Sequence, residues 1–182
     1  MSGHHTRLRW CNQKRCLSAQ LNAELKSWLF DSGSLTARLL KRCNGDFSVK
    51  VLSVVRSTPT PDEVKALKLN FRSQAIIRQV LLYCGDTPVV YARTIIPVSS
   101  MRGALRGIVQ LGNKSLGAIL FSDKSMQREP MEITSLKARH KCYDWTGHKG
   151  SEVIWGRRSV FKLRNEKLLV SEFFLPELFH RQ

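Results

Sequence analysis

Residues 74–97 read QAIIRQVLLYCGDTPVVYARTIIP. Two β-rich runs, 74–84 and 87–97, flank Gly85-Asp86; Pro88 follows the turn and Pro97 ends the second run. Glycine takes positive φ without steric cost and aspartate bonds its own backbone, so this pair between two β-rich runs is turn chemistry. The stretch is therefore a β-hairpin, and a hairpin makes its strands antiparallel neighbours. A second hairpin runs over Trp155–Leu163 and Lys167–Leu175 around Arg164-Asn165-Glu166, and Pro176 ends it. The β-branched run Phe47–Val55 supplies a further strand, and another is expected near 124–134.

Between these strands the period changes. Leu21, Leu25, Trp28 and Leu29 share one face of a helix capped by Ser18 and broken at Asp31-Ser32-Gly33. Ser34 caps a second helix, which runs to about Arg42 and stops at Asn44-Gly45. Pro61-Asp62-Glu63 opens a short helix to Leu67. Residues 101–111 read as a helix closed by Gly112-Asn113, and Ser115 caps another through Phe121. Residues 136–150 read as a long, polar, basic loop. The order predicts an α+β fold: one antiparallel sheet with helices packed on it. Residues 1–17 form a basic N-terminal arm, and 18–182 a single domain with a basic insertion at about 136–150.

Composition narrows the function. At roughly 150 residues per domain, 182 residues make one domain. The longest apolar run, Val80–Cys84, is far short of the roughly 20 residues of a membrane-spanning helix. The first residues lack the apolar centre of a secretory leader, so the chain reads as cytoplasmic. Cysteines at 11, 16, 43, 84 and 142 match no zinc spacing and are expected as reduced thiols. His140, Cys142 and His148 lack the further ligands a metal would need. The net charge of +16 attracts anions: nucleic acid, an anionic lipid surface or a small polyanionic substrate. Positive charge is densest at Arg7, Arg9, Lys14 and Arg15, and at Lys137, Arg139, His140, Lys141 and Lys149. No P-loop, dinucleotide-binding, nucleophile-elbow or nucleic-acid-binding signature is present.

Two charges stand where the strand pattern wants none. Side chains alternate faces along a strand, so Arg78 shares a face with Ile76, Val80, Leu82 and Cys84. Glu172 shares one with Leu168, Val170 and Phe174. A lone buried charge costs several kcal/mol, so each needs a partner. Either they pair with each other in the core, or they line an apolar pocket. In the pocket reading Arg78 meets a carboxylate, and Glu172 meets a hydroxyl or takes up a proton. Arg93 is a second anion contact or an exposed edge charge. One of Arg157 and Arg158 points inward, and the other is read as a solvated flank. Free backbone N–H groups at Leu116-Gly117, after the cap at Ser115, could receive an anion.

Taken in order, Ala75–Leu82, Ala92–Ser99, Leu116–Phe121, Trp155–Ser159 and Glu172–Pro176 resemble bacterial chorismate lyase, with similarity from about residue 20 to 178. The resemblance implies a monomeric, cofactor-free domain with a six-stranded antiparallel sheet, without metal. It implies removal of pyruvate from chorismate to give 4-hydroxybenzoate, the first committed step toward ubiquinone. It implies that Arg78 and the backbone of Leu116 meet the ring carboxylate, that Glu172 meets the hydroxyl, and that Leu35 lines the pocket. A product held by a buried ion pair should leave slowly, so inhibition by product is expected. The basic insertion at 136–150 departs from the family. Two rival readings are a ligand-sensing domain of the same fold without turnover and a basic nucleic-acid-binding module. The resemblance requires no nucleic acid, and the basic segments suit peripheral contact with an anionic membrane.

Overall fold

A computed structural model of the protein describes residues 8–12, 21–101, 104–108 and 110–180. The hairpin read from 74–97 is strand β3 (Ala75–Cys84) joined to β4 (Thr87–Pro97), with Gly85 in the turn at φ +57°. Strand β2 (Phe47–Ser57) pairs with β3. The second hairpin joins β7 (Ile154–Leu163) to β8 (Glu166–Phe174) through Arg164-Asn165, with Arg164 at φ 54°. The strand expected near 124–134 is divided into β5 (Gln127–Arg128) and β6 (Glu132–Leu136), because Pro130 has no N–H for the ladder. Cys11–Asn12 adds β1.

These strands form one sheet in the order β1-β6-β7-β8-β4-β3-β2, with β5 also paired to β7. Every pairing is antiparallel. Among the described residues the sheet has eight strands where about six were expected. The two extra ones, β1 and β5, are two residues long each.

Helices α1 (Ala23–Leu29), α2 (Leu35–Arg42) and α3 (Pro61–Leu67) lie where the periodicity predicts. Asn22 caps α1, accepting from the Leu25 N–H at 2.8 Å; the expected cap Ser18 lies outside the described residues. Ser34 caps α2 as read. The helix expected over 101–111 is described as α4, Ala104–Ile108. Helix α5 (Leu116–Ser122) begins after Ser115, whose side chain accepts from the Ala118 N–H.

The sheet buries apolar residues on both faces. On one face α1 and α2 bring Trp28, Leu29 and Leu39 onto Val80, Leu82, Val90 and Phe174, while α4 and α5 bring Leu105, Ile108 and Leu120 onto Ile96, Phe161 and Val170. On the other, Leu67 of α3 packs with Ile77, Ile95 and Leu169. Each such fully buried side chain contributes roughly 1.5–3 kcal/mol.

Two expectations are corrected. Segment 136–150 is not an open loop: residues Lys141–Thr146 form a 3₁₀ turn whose Cys142 and Tyr143 pack with Leu136, Ile154 and Phe173. Its apolar and aromatic side chains anchor it. Nor are all cysteines reduced: a disulfide joins Cys43 to Cys84. Cys43 caps α2, and the chain turns through Asn44 and Gly45, both at positive φ, into β2. Phe47 of β2 is the partner of Cys84 in the ladder, which sets the two Cα atoms 5.0 Å apart.

Candidate active site

The sheet register builds the floor of a pocket. On the face covered by α1, α2 and α5, one row across the strands runs Val54, Arg78, Thr94, Val170, Ser159. The next runs Val51, Val80, Ala92, Glu172, Arg157, Ile133. Arg78 on β3 and Glu172 on β8 thus lie one row apart with β4 between them. At about 4.8 Å per strand and 6.8 Å per row their Cα atoms are roughly 12 Å apart. The intervening β4 residues on this face are Ala92 and Thr94, both small, so the floor is left open. The resulting cavity, of about 50 Å³, is lined by Arg78, Thr94, Ala92 and Glu172 together with Leu35 and Leu116. The sequence reading of Arg78, Glu172, Leu35 and Leu116 therefore converges on one place.

Arg78 is 3% exposed, and its Nη2 donates to the carbonyls of Gly112 (2.9 Å) and Lys114 (3.2 Å). Those bonds tie it to the segment that delivers Leu116. Among the described residues no carboxylate pairs with it, and burial lowers its pKa from the ordinary arginine value. An anion beside it would offset that burial. Gly117 is required by close approach: a Cβ there would lie 2.8 Å from Oγ1 of Thr36 on α2. Thr36 and Ser115 hydrogen-bond through their hydroxyls, which joins the starts of α2 and α5 over the cavity.

Glu172 does not pair with Arg78. Its Oε2 accepts from Nε of Arg157 at 2.6 Å, its direct neighbour across the β7–β8 ladder. Arg157 is 1% exposed and also donates to the carbonyls of Trp28 (2.8 Å) and Asp31 (2.7 Å). Arg157 is thereby fixed, and it holds one carboxylate oxygen of Glu172.

A third guanidinium, Arg128 of β5, was not singled out from sequence. It donates to Ser159 Oγ (3.0 Å) and the Ser32 carbonyl (3.2 Å), and it lies over the Phe161 ring. Burial, then repulsion from Arg157, lowers its pKa. It lies within the strand expected near 124–134, but that reading did not say which of its side chains would face the pocket. The lining thus holds Arg78, Arg128 and Arg157 against Glu172, a net charge of +2 suited to a dianion.

The remaining arginines go elsewhere. Arg93 is neither an exposed edge charge nor part of this cavity. It lies on the opposite face of the central strand β4, buried, with its Nε 2.7 Å from Glu63 Oε1 of α3. Burial would lower its pKa, but Glu63 outweighs that and raises it. Of the pair Arg157 and Arg158, one of which was expected as a solvated flank, neither is: Arg158, on the face away from the pocket, is 6% exposed. It pairs with Asp62 and Glu132, both at 2.8 Å, and lies over Trp10. A larger cavity, about 440 Å³, opens on that face among Trp10, Arg93, Cys142, Trp145 and Phe173. It is roomier than the cavity at Arg78, but its Arg93 is already neutralised by Glu63. Burial also pushes the Cys142 thiol up to about 11, which leaves it a poor nucleophile. Among the described residues no cluster of three or more metal-ligating side chains occurs.

The family model described as chorismate lyase matches residues 6–182. A curated relative from Aromatoleum aromaticum is 41% identical over 174 residues, 91% of either chain. One from Nitrosospira multiformis is 36% identical over 165 residues, 88% of this chain and 91% of the relative. Both bear the name "Probable chorismate pyruvate-lyase". Among solved structures, the ligand-binding domain of a GntR-family transcriptional regulator from Bordetella bronchiseptica superposes with a TM-score of 0.55 at 12% identity. That match covers 73% of this chain and 86% of the other. A GntR-family regulator from Bacillus cereus gives 0.55 at 11%, covering 75% and 96%. These two likenesses concern the fold alone.

Proposed function

The chain belongs to the chorismate lyase family, and from that premise we propose how its pocket releases pyruvate from chorismate. The protein is a pyruvate-releasing lyase whose other product is 4-hydroxybenzoate, the precursor that starts ubiquinone synthesis. Chorismate carries a ring carboxylate, a ring hydroxyl and an enolpyruvyl ether ending in a second carboxylate. Loss of pyruvate makes the ring aromatic, so the driving force belongs to the substrate. The protein has to hold a reactive conformer away from water and neutralise two anions.

Arg78 and the backbone N–H of Leu116 bind the ring carboxylate. Glu172, held by Arg157, accepts a hydrogen bond from the ring hydroxyl at the far end of the floor. Arg128 takes the pyruvyl carboxylate, a role for which Arg93 is unsuited because it lies across the sheet and serves Glu63. Leu35, Val80 and Leu120 press on the ring. The observation that carries this reading is the row geometry: a cation without a carboxylate partner and a tethered carboxylate lie at opposite ends of a floor of small residues. Glu172 either orients the hydroxyl or accepts the hydrogen from the carbon that bears it. Glu172→Gln separates these roles, since an orienting group tolerates the amide in part and a proton acceptor does not.

The test is purified protein with chorismate and no added metal. Equal amounts of 4-hydroxybenzoate and pyruvate support the reading. Tight binding of 4-hydroxybenzoate without chorismate turnover would mark the chain as a ligand sensor instead.

A further inference from the structure

One corner of the sheet takes no part in this chemistry. Strand β2 is the edge strand, and its end lies against the start of β3, with Ser57 opposite Ala75 and Arg56 opposite Ile76. The chain enters β3 through a tight turn, closed by the Ser73 N–H donating to the Asn70 carbonyl at 2.9 Å. Phe71 and Arg72 occupy the centre of that turn. Gln74 donates to Thr58 Oγ1 at 3.0 Å, which fastens the turn to the segment leaving β2. Phe71 is 82% exposed, the most of any large apolar side chain among the described residues. Leu52, Val54 and Val55 of β2 are also exposed.

The chain that leads into and out of this turn carries charge of one sign. Residues 47–61 and 64–85 contain no aspartate or glutamate. Lys50, Arg56, Lys65, Lys68 and Arg72 are all exposed, and among the described residues none pairs with a carboxylate. A single exposed apolar side chain is ordinary; what distinguishes Phe71 is its place at the tip of a fastened turn with Lys68 and Arg72 beside it and no acid in the flanking chain. A convex tip with one aromatic side chain is no stacking platform for nucleic acid, which needs a groove with successive rings. An aromatic side chain that leads, with cations behind it, suits the boundary between lipid headgroups and acyl chains.

We propose that this corner docks the protein on an anionic lipid bilayer, with Phe71 entering the headgroup region and Lys68 and Arg72 meeting lipid phosphates. The proposal is independent of the chemistry in the pocket.

Sedimentation of the full chain with vesicles tests it, using phosphatidylcholine alone or with one third phosphatidylglycerol at low salt. Binding is expected only to the anionic vesicles. Phe71→Ser and the double variant Lys68→Glu/Arg72→Glu should each weaken it by about tenfold or more, with chorismate turnover unchanged. Phe71→Trp should add a fluorescence component that shifts to the blue with anionic vesicles and is quenched by lipids brominated in the acyl chain. The proposal is overturned if both Phe71→Ser and the double variant bind as the parent does, or if the added tryptophan is not quenched. Tighter binding to a DNA duplex than to vesicles, lost in the same variants, would overturn it in favour of nucleic acid.

Discussion

At the scale of single residues the account turns on charges held in apolar surroundings. Arg78 meets carbonyl oxygens and no described carboxylate. Replacing it with alanine leaves the substrate anion unpaired in the pocket. Arg78→Ala should therefore lower chorismate turnover by about 10²–10³-fold, in the range found for removal of one oriented donor, while costing less stability than Arg157→Ala, since it strands two carbonyls but no carboxylate. Arg157 should behave differently, because it holds Glu172 and two backbone carbonyls together. Arg157→Ala strands a carboxylate and two acceptors, and should cost about 3 kcal/mol in denaturant unfolding as well as activity. If Arg157→Ala unfolded like the parent, the pair would not be part of the fold's support. Arg78 and Glu172 were legible in the sequence because a charge inside an alternating apolar strand is anomalous wherever that strand lies. The partners were not legible. That Arg157 faces Glu172, and that Glu63 of α3 reaches Arg93, depend on which elements become neighbours, and one strand's alternation does not carry that.

At the scale of elements, two contacts carry predictions. Helices α2 and α5 meet over the pocket where Gly117 leaves no room for a Cβ beside Thr36. Gly117→Ala should raise KM for chorismate several-fold, and Thr36→Ala in the same chain should recover part of the loss. Segment 136–150 is latched to the C-terminal turn by His148. Its Nδ1 lies 2.9 Å from Glu177 and its Nε2 3.0 Å from Glu152, with Tyr143 the other titratable group against the ring. Burial would lower the histidine's pKa, but the hydrogen bond to Glu152 and the charge of Glu177 outweigh it, and the pKa is raised. A raised histidine stabilises fully below its unfolded value of about 6.5, and the contribution is lost as pH rises through the folded value. The melting difference between the parent and His148→Ala should therefore be larger at mildly acid pH than at mildly alkaline pH. An equal difference at both would mean the latch is not ionic. The hairpins were readable from turn residues alone, whereas the packing of 136–150 was hidden by its lysines. Cys142 and Tyr143, the residues that bury it, form only a short pair among charges, with no helical or strand period around them.

At the scale of the whole molecule, the excess of positive charge and the small charged cavity act together. A chain of net charge +16 attracts a dianion over distances longer than any contact. Turnover measured as kcat/KM should fall as salt is raised and the field is screened, while kcat stays nearly constant. The α+β class was legible because hairpins force antiparallel neighbours. The strand order was not, since placing β8 beside β4 brings Glu172 next to Ala92, a contact between residues far apart in the chain. That juxtaposition makes the pocket, and it is most directly tested by a crystal structure with 4-hydroxybenzoate bound. The account predicts the carboxylate within hydrogen-bond distance of the Arg78 guanidinium and the Leu116 N–H, with the hydroxyl at Glu172. A product seated instead in the larger cavity beside Arg93 and Trp145, or lying reversed with its carboxylate toward Arg157, would contradict it.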